Sequence, residues 1–152
     1  MASDAMIYAE IHEVLDHPVE IIWPEVAAFG AIDRWVDGVT GCAMTGDGPG
    51  AVRTVRLGER RVCEQLEEID PAAYRLRYRI LLPHRLPAAN VHGEIRLIPL
   101  EGGRTEMVWR SDATDFQVPP GELGARMEGF YRRSIDGLRR LLDQAEPVSG
   151  LG

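Results

Sequence analysis

The sequence predicts an α+β domain in which a seven-stranded antiparallel sheet packs against one long C-terminal helix. Three observations support this prediction. Glycine-containing turns recur between residues 46 and 103, segments of alternating polarity lie between them, and the apolar spacing changes to a helical period after residue 118. Because the connections between strands are short, neighbouring strands are expected to be antiparallel.

The first 38 residues predict one strand and two short helices. The strand is expected over residues 5–15, where apolar and polar side chains alternate. Pro18 suits the first position of the helix that follows, and Pro24 should keep this helix short or bent. The segment AIDRWVDG predicts a second short helix that ends at Gly38.

The turn positions then define six further strands, which are expected at residues 39–45, 50–57, 60–69, 73–82, 91–100 and 104–114. The last helix should reach about Gln144. Its apolar face is predicted to comprise Leu123, Met127, Phe130, Ser134, Leu138 and Leu141. We expect residues 1–146 to form a single domain and residues 147–152 to be a flexible tail.

Composition limits the classes of partner. The 24 acidic residues outnumber the 17 basic ones and give a formal net charge of −7, which disfavours nucleic acid or an anionic membrane surface as the main partner. The two cysteines are expected to be free thiols in a reducing compartment. No segment approaches 18 uninterrupted apolar residues, so no membrane insertion is expected and the predicted location is the cytoplasm.

Four motifs, together with the order of elements, resemble a known superfamily. They are FGAIDRWVDGVTGC, GDGPGAVRTVRL, CEQLEEID and TEMVWRSDATDF. The chain resembles the Bet v 1-like or START-like (SRPBCC) superfamily, and within it the polyketide cyclase/dehydratase and lipid transport group. The resemblance implies a helix-grip fold, in which a curved sheet wraps around the C-terminal helix and leaves a cavity between them. The superfamily includes cyclases, lipid carriers and plant abscisic acid receptors, so it leaves the function open.

An inward-facing charge pair is predicted on two neighbouring strands. Glu64 alternates in phase with the apolar Val62 and Leu66, which places its side chain on the core face. The same argument places Arg53 on that face of the preceding strand, where the two side chains could meet. The pair is then either a structural ion pair or part of a ligand site. The resemblance favours the second, because the corresponding residues of the abscisic acid receptors line the ligand cavity.

Tyr78 is the candidate hydroxyl of the cavity. In YRLRYRILL the tyrosines alternate with Arg75, Arg77 and Arg79, and three arginines cannot all be buried without partners. The tyrosine face should therefore point inward, where a hydroxyl needs a hydrogen-bond partner. Glu64, Arg53 and Tyr78 are the predicted catalytic residues.

The remaining ligand contacts are expected around the same cavity. The strand over residues 104–114 leaves its parity open: one phase points Trp109 inward and the other points Arg110 inward, and comparison with the receptors favours Arg110. Both residues are kept as candidates. Met127, Phe130 and Ser134 should form the roof, and Trp35 should lie near the entrance.

Two functions fit these predictions. The first is an enzyme of the polyketide cyclase or dehydratase type that acts on a hydrophobic polyketide-like or aromatic substrate by acid/base chemistry. The second is a non-catalytic carrier or sensor of a lipid-like ligand. We expect no metal, nucleotide or other cofactor, since GDGPG is a hairpin turn without a following helix and His12 and His17 lack metal-ligand spacing. The chain is expected to be a monomer or a homodimer.

Overall fold

The computed structural model describes residues 4–145, so the predicted tail at 147–152 lies outside the described residues. In chain order the elements are β1 (Met6–Leu15), α1 (Val19–Ala27), a 3-10 turn (Ile32–Arg34), β2 (Gly41–Thr45), β3 (Val52–Leu57), β4 (Arg60–Asp70), β5 (Arg75–Ile80), β6 (Ala89–Leu100), β7 (Arg104–Thr114) and α2 (Pro120–Ala145). No helix within this range is long and apolar enough to cross a bilayer.

The strands form one antiparallel sheet with the order β1-β7-β6-β5-β4-β3-β2. From β2 to β7, each strand pairs with the next strand in the chain. The first strand, β1, pairs with β7 at the other edge. The sheet curves around α2, which confirms the predicted helix-grip fold. The two edge strands of the sheet, β1 and β2, are connected in the chain by α1 and the 3-10 turn.

The second short helix is much shorter than the sequence suggests. Only Ile32–Arg34 form a 3-10 turn, and the chain becomes irregular at Trp35. The strand expected at 73–82 is also shorter, since it comprises only Arg75–Ile80. It begins at Arg75 because Tyr74 adopts a positive φ of 51° in the preceding turn.

The inner face of the sheet and α2 together form the core. On β7 the buried positions alternate from Thr105 to Ser111, as a sheet with one covered face requires. On α2 the fully buried side chains include Tyr131, Ile135 and Leu142, none of which belongs to the predicted apolar face. The sheet covers more than one line of side chains on the helix, so the buried face is wider than the predicted one.

Two glycines allow α2 to lie directly on the backbone of other segments. A Cβ atom at Gly124 would collide with the carbonyl oxygen of Tyr8 on β1, and one at Gly137 would collide with the carbonyl oxygen of Trp35. The helix is therefore in close contact with the rest of the fold at these two points. The segment between them, which includes Met127 and Phe130, lies over a cavity between α2 and the sheet.

Candidate ligand-binding site

A cavity of about 210 Å³ lies between the inner face of the sheet and α2. Its walls come from the 3-10 turn, β3, β4, β5, β7, α2 and the loop at residues 81–88. Most of the lining is apolar, with side chains such as Val55, Val62 and Ile80. Arg53, Glu64 and Tyr78 are the largely buried polar side chains that line the same cavity among the described residues, and this combination is typical of small-molecule sites.

Arg53 and Glu64 form an ion pair in the wall of the cavity. They are directly opposite each other in the register of β3 and β4. The Nε and Nη2 atoms of Arg53 lie 2.7 Å and 2.6 Å from Oε1 of Glu64. Only 7% of the arginine side chain and 13% of the glutamate side chain are exposed. The predicted contact across the hairpin is confirmed, and we call these two residues the inner pair.

The guanidinium of Arg53 is fixed by three further contacts. Its Nη1 donates to the backbone carbonyl of Phe29 at 3.1 Å. Its Cζ lies 3.8 Å from the centre of the Phe29 ring and 4.9 Å from the centre of the Tyr78 ring, which are cation–π distances. Because its N–H groups are directed at Glu64 and at the backbone, Arg53 orients the carboxylate. Phe29 was not predicted, since it follows α1 in a segment with no periodic pattern.

Glu64 retains unused hydrogen-bonding capacity. Both contacts with Arg53 are made through Oε1, and no hydrogen bond from residues 4–145 reaches Oε2. A carboxylate can accept hydrogen bonds on both oxygens. A ligand in the cavity could therefore donate to Oε2 or lose a proton to it.

Tyr78 supplies a hydroxyl that is buried in the wall. The indole Nε1 of Trp109 donates to its Oη at 3.1 Å. An indole N–H can only donate, so the tyrosine oxygen accepts this bond and its own proton points elsewhere. No acceptor for that proton occurs in the described part of the chain. Burial raises the pKa of Tyr78 well above its ordinary value, so the hydroxyl stays protonated and can donate to a ligand.

A glycine on β6 makes room for the Tyr78 ring. A Cβ atom added at Gly93 would lie 2.7 Å from Cε2 of Tyr78 and still closer to its hydroxyl end. Gly93 is directly opposite Tyr78 in the register of β5 and β6. The ring therefore lies across the backbone of β6. Sequence reasoning missed Gly93, although a glycine inside a strand is a known sign of close approach by another group.

A second aromatic layer supports Trp109 from behind. The Tyr131 ring stacks on Trp109 with centres 4.1 Å apart and planes 12° from parallel. The Tyr131 hydroxyl is hydrogen-bonded to Ser111, and burial raises its pKa well above the ordinary value. Tyr131 was missed because the predicted helix face includes its neighbour Phe130. The spacing of residues 131, 135, 138 and 142 would have identified it.

Arg110 does not face the cavity, so the prediction that favoured it is wrong. Trp109 is buried and pairs with Ile11 on one neighbouring strand and Ile95 on the other, both of which are core residues. Arg110 consequently points to the opposite face of the sheet. There its Nε donates to Oε2 of Glu94 at 2.7 Å, and its side chain is 41% exposed. The parity of β7 was decided by its two neighbours.

Two other predicted contacts lie behind the wall. Trp35 packs against Trp109 with ring centres 5.7 Å apart, but it does not line the cavity. Ser134 accepts a hydrogen bond from the backbone of Asp37 at 3.0 Å and donates to the carbonyl of Phe130 at 2.9 Å. It therefore ties α2 to the segment after the 3-10 turn. The predicted roof residues Met127 and Phe130 do line the cavity.

The open side of the cavity lies between the β3–β4 hairpin and the loop at residues 81–88. Arg60 and Arg85 line the cavity there and are exposed to solvent, in contrast to the buried Arg53. His84 lies beside them, and its Nδ1 accepts a hydrogen bond from the backbone of Leu86 at 3.2 Å. We call Arg60, His84 and Arg85 the mouth.

The sequence and the fold can be compared with those of known proteins. Residues 6–143 match the family described as polyketide cyclase/dehydrase and lipid transport. The chain belongs to this family. No curated protein matches it.

Solved structures share the fold at low sequence identity. The protein XoxI from Bacillus cereus is 17% identical with a TM-score of 0.80, and the match covers 95% of this chain and 100% of XoxI. A solution structure from Thermobifida fusca is 23% identical with a TM-score of 0.76, covering 91% and 94% of the two chains. Ara h 8.0201 is 17% identical with a TM-score of 0.74, covering 93% and 99%. The helix-grip architecture of this family member is thus shared with Bet v 1-like proteins.

Proposed function

We propose that this protein binds a hydrophobic polyketide-like or aromatic molecule in the cavity and converts it by acid/base chemistry, as a cyclase/dehydratase-type enzyme. One observation carries the proposal. A carboxylate with an unused oxygen and a protonated hydroxyl with an unused proton line the same largely apolar cavity. The family description and the helix-grip fold support a hydrophobic ligand.

The proposed reaction starts with proton abstraction next to a carbonyl group. Oε2 of Glu64 takes a proton from the carbon, and the electron pair moves to the carbonyl oxygen to form an enolate. The hydroxyl of Tyr78 donates a hydrogen bond to that oxygen, and Arg53 keeps Glu64 in position. General base catalysis of this kind contributes on the order of 10² to 10⁴ in rate.

Ring closure follows from the same enolate. Its carbon attacks a second carbonyl of the same molecule, which forms a carbon–carbon bond and an alkoxide. The protonated Glu64 returns its proton to the alkoxide, which becomes a hydroxyl group. The carboxylate of Glu64 then takes a further carbon-bound proton as hydroxide leaves, and transfer of that proton to the hydroxide releases water and restores the carboxylate. The apolar walls hold the two ends of the substrate close together, which lowers the entropic cost of closure.

Proton abstraction can be tested without knowing the natural substrate. The probe is 1-tetralone in D₂O, whose α-proton exchange is followed by NMR. We expect the protein to accelerate this exchange and the Glu64→Gln variant to lose the acceleration while binding the probe within about twofold of wild type, because the amide preserves the shape but is no base. Tyr78→Phe should slow the exchange about tenfold or more, since the enolate loses a donor.

Glu67→Gln is the matched control. Glu67 lies on the same strand, but its carboxylate contacts His92 at 3.1 Å and does not line the cavity. It should exchange the probe at the wild-type rate. Full exchange activity in Glu64→Gln would refute the assigned base.

The second candidate function is a non-catalytic carrier or sensor of a lipid-like ligand. It is favoured by the engagement of Arg53 with Glu64 and with the Phe29 carbonyl, which directs the guanidinium to the protein and not to a substrate. Under this alternative, Glu64 and Tyr78 only hold the polar end of the ligand. Tight binding of 1-tetralone by wild type with no acceleration of exchange would favour the carrier. Native mass spectrometry of the purified protein would identify a co-purified ligand directly.

A further inference from the structure

The mouth of the cavity concentrates positive charge in a protein whose formal net charge is −7. Arg60 and Arg85 line the opening, and Arg61 lies beside them in an adjoining surface depression. The only acidic side chain that lines this depression within residues 4–145 is that of Glu59. No carboxylate of the described residues lies within ion-pair distance of these three arginines, so their guanidinium groups are available to a ligand.

The interior of the cavity disfavours an anion. Its walls are largely apolar, and the polar groups inside it that lack a hydrogen-bond partner among residues 4–145 are Oε2 of Glu64 and the hydroxyl proton of Tyr78. A second negative charge beside Glu64 would be repelled and desolvated. Arg53 cannot compensate for it, because its contacts are made with Glu64 and Phe29. An anionic group on a ligand is therefore favoured only at the mouth.

We propose that the ligand is an amphipathic anion whose acidic group binds between Arg60 and Arg85, while its apolar body fills the cavity and a neutral oxygen function reaches Glu64 and Tyr78. This inference rests on the proposed function and specifies the class and orientation of the ligand. A guanidinium binds the oxygens of a carboxylate, sulfonate or phosphate in a planar, two-point arrangement. The anion also remains close to water, which limits its desolvation.

Two fluorescent probes that differ by one charged group test the proposal. They are 8-anilinonaphthalene-1-sulfonate and N-phenyl-1-naphthylamine, which share the same aromatic skeleton. We expect the sulfonate to bind wild type more tightly, and we expect this preference to decline between 20 mM and 500 mM salt because the mouth is exposed. In the Arg60→Gln/Arg85→Gln double variant the preference should fall about tenfold, or about threefold per exposed arginine. The uncharged probe should be bound as in wild type.

Two matched variants separate a specific contact from a general loss of charge. Arg56→Gln removes one positive charge from β3 at an exposed position that does not line the cavity, and it should keep the preference. Arg60→Lys/Arg85→Lys keeps the charge but loses the planar two-point contact, so it should retain only part of the preference. Circular dichroism and thermal melting check that each variant is folded. If the double glutamine variant is unfolded, the two single variants provide the same comparison.

The outcomes distinguish this inference from the proposed function. If both probes bind and the preference for the sulfonate is the same in wild type and in the glutamine variants, the anionic mouth is refuted while the ligand cavity stands. If neither probe binds, or if filling the cavity by Val55→Trp leaves binding unchanged, the ligand cavity itself is refuted. Competition of decanoate, decyl phosphate and 1-decanol against the sulfonate probe then shows which acidic group is preferred; equal competition by 1-decanol would also overturn the inference.

Discussion

Two arginine–carboxylate groups lie on opposite faces of the same sheet, and they differ in how completely their carboxylates are used. The inner pair is Arg53 and Glu64. The outer network comprises Arg75, Arg77, Glu94, Arg110 and Asp112. In the outer network Arg75 and Arg110 bind the two oxygens of Glu94, and Arg77 binds both oxygens of Asp112 at 2.8 Å and 3.1 Å. In the inner pair both arginine contacts are made with one oxygen of Glu64.

This difference separates a structural charge cluster from a candidate site. Glu94 and Asp112 are as buried as the residues of the inner pair, so burial of charge alone does not identify a functional residue. A carboxylate whose oxygens are both occupied has little left to offer a ligand. Among residues 4–145, no group donates a hydrogen bond to the second oxygen of Glu64 in the wall of the cavity, and none accepts the hydroxyl proton of Tyr78 beside it.

The largest expected effect comes from removing the inner arginine. We expect Arg53→Met to lower the free energy of unfolding by about 3 to 5 kcal/mol, because it leaves a largely buried Glu64 carboxylate without its partner. Arg75→Met in the outer network should cost about 1 kcal/mol or less, since Arg110 still binds Glu94 and the lost pair is partly exposed. Urea denaturation measures both. Equal losses would contradict the contrast between the two faces, and Arg53→Met/Glu64→Met should recover part of the stability lost in the single variant.

A smaller loss is expected from overpacking beside Tyr78. Gly93→Ala places a methyl group against the Tyr78 ring and should destabilise the fold by about 2 to 3 kcal/mol. The matched control is Gly121→Ala in the first turn of α2, where no heavy atom of the described residues, apart from the adjacent residues and the helix's own backbone, lies within 4 Å of the added methyl group. The control should be neutral or slightly stabilising. Thermal and urea unfolding of the two variants measure the difference. A Gly93→Ala variant as stable as wild type would contradict the close contact between Gly93 and the Tyr78 ring.

The hydroxyl of Tyr78 should contribute less. Tyr78→Phe removes the acceptor for the buried indole N–H of Trp109 and should cost about 1 to 2 kcal/mol. Tyr74→Phe, at a half-buried position outside the strands, should change stability by less than about 0.5 kcal/mol. Chemical denaturation again gives both values. A neutral Tyr78→Phe would show that the Trp109 contact does not order the cavity wall.

The smallest effect is expected beside the outer network, at His12. Its hydrogen bond with Glu10, together with Glu106 on β7, raises the pKa of His12 above the ordinary value. The protonated form is favoured in the folded state, so this contribution is fully present below about pH 6.5 and is lost as pH rises through the raised pKa. The imidazole is half exposed, so the loss should be about 0.3 kcal/mol or less. His12→Gln should remove this pH dependence. An NMR titration that showed a lowered pKa for His12 would contradict the prediction.

Part of the cavity could be predicted from local sequence. Alternation along β3, β4 and β5 placed Arg53, Glu64 and Tyr78 on the inner face, because each strand has enough strongly apolar residues in one phase to decide its parity. Along β7 both phases mix polar and apolar side chains, so no local rule could choose between Trp109 and Arg110. Pairing with Ile11 and Ile95 decided it.

Local sequence patterns are sufficient to predict the order of elements, the antiparallel sheet, the C-terminal helix and the opposition of Arg53 and Glu64 across a hairpin. These features depend on periodicity and on short turns, which act over a few residues. Contacts between distant segments instead establish that Phe29 and Gly93 position the polar groups, that Tyr131 supports Trp109, and that Arg60 and Arg85 both line the cavity. Those contacts join segments far apart in the chain, and their geometry depends on the curvature of the sheet around α2 and on which side chains fill the space between them.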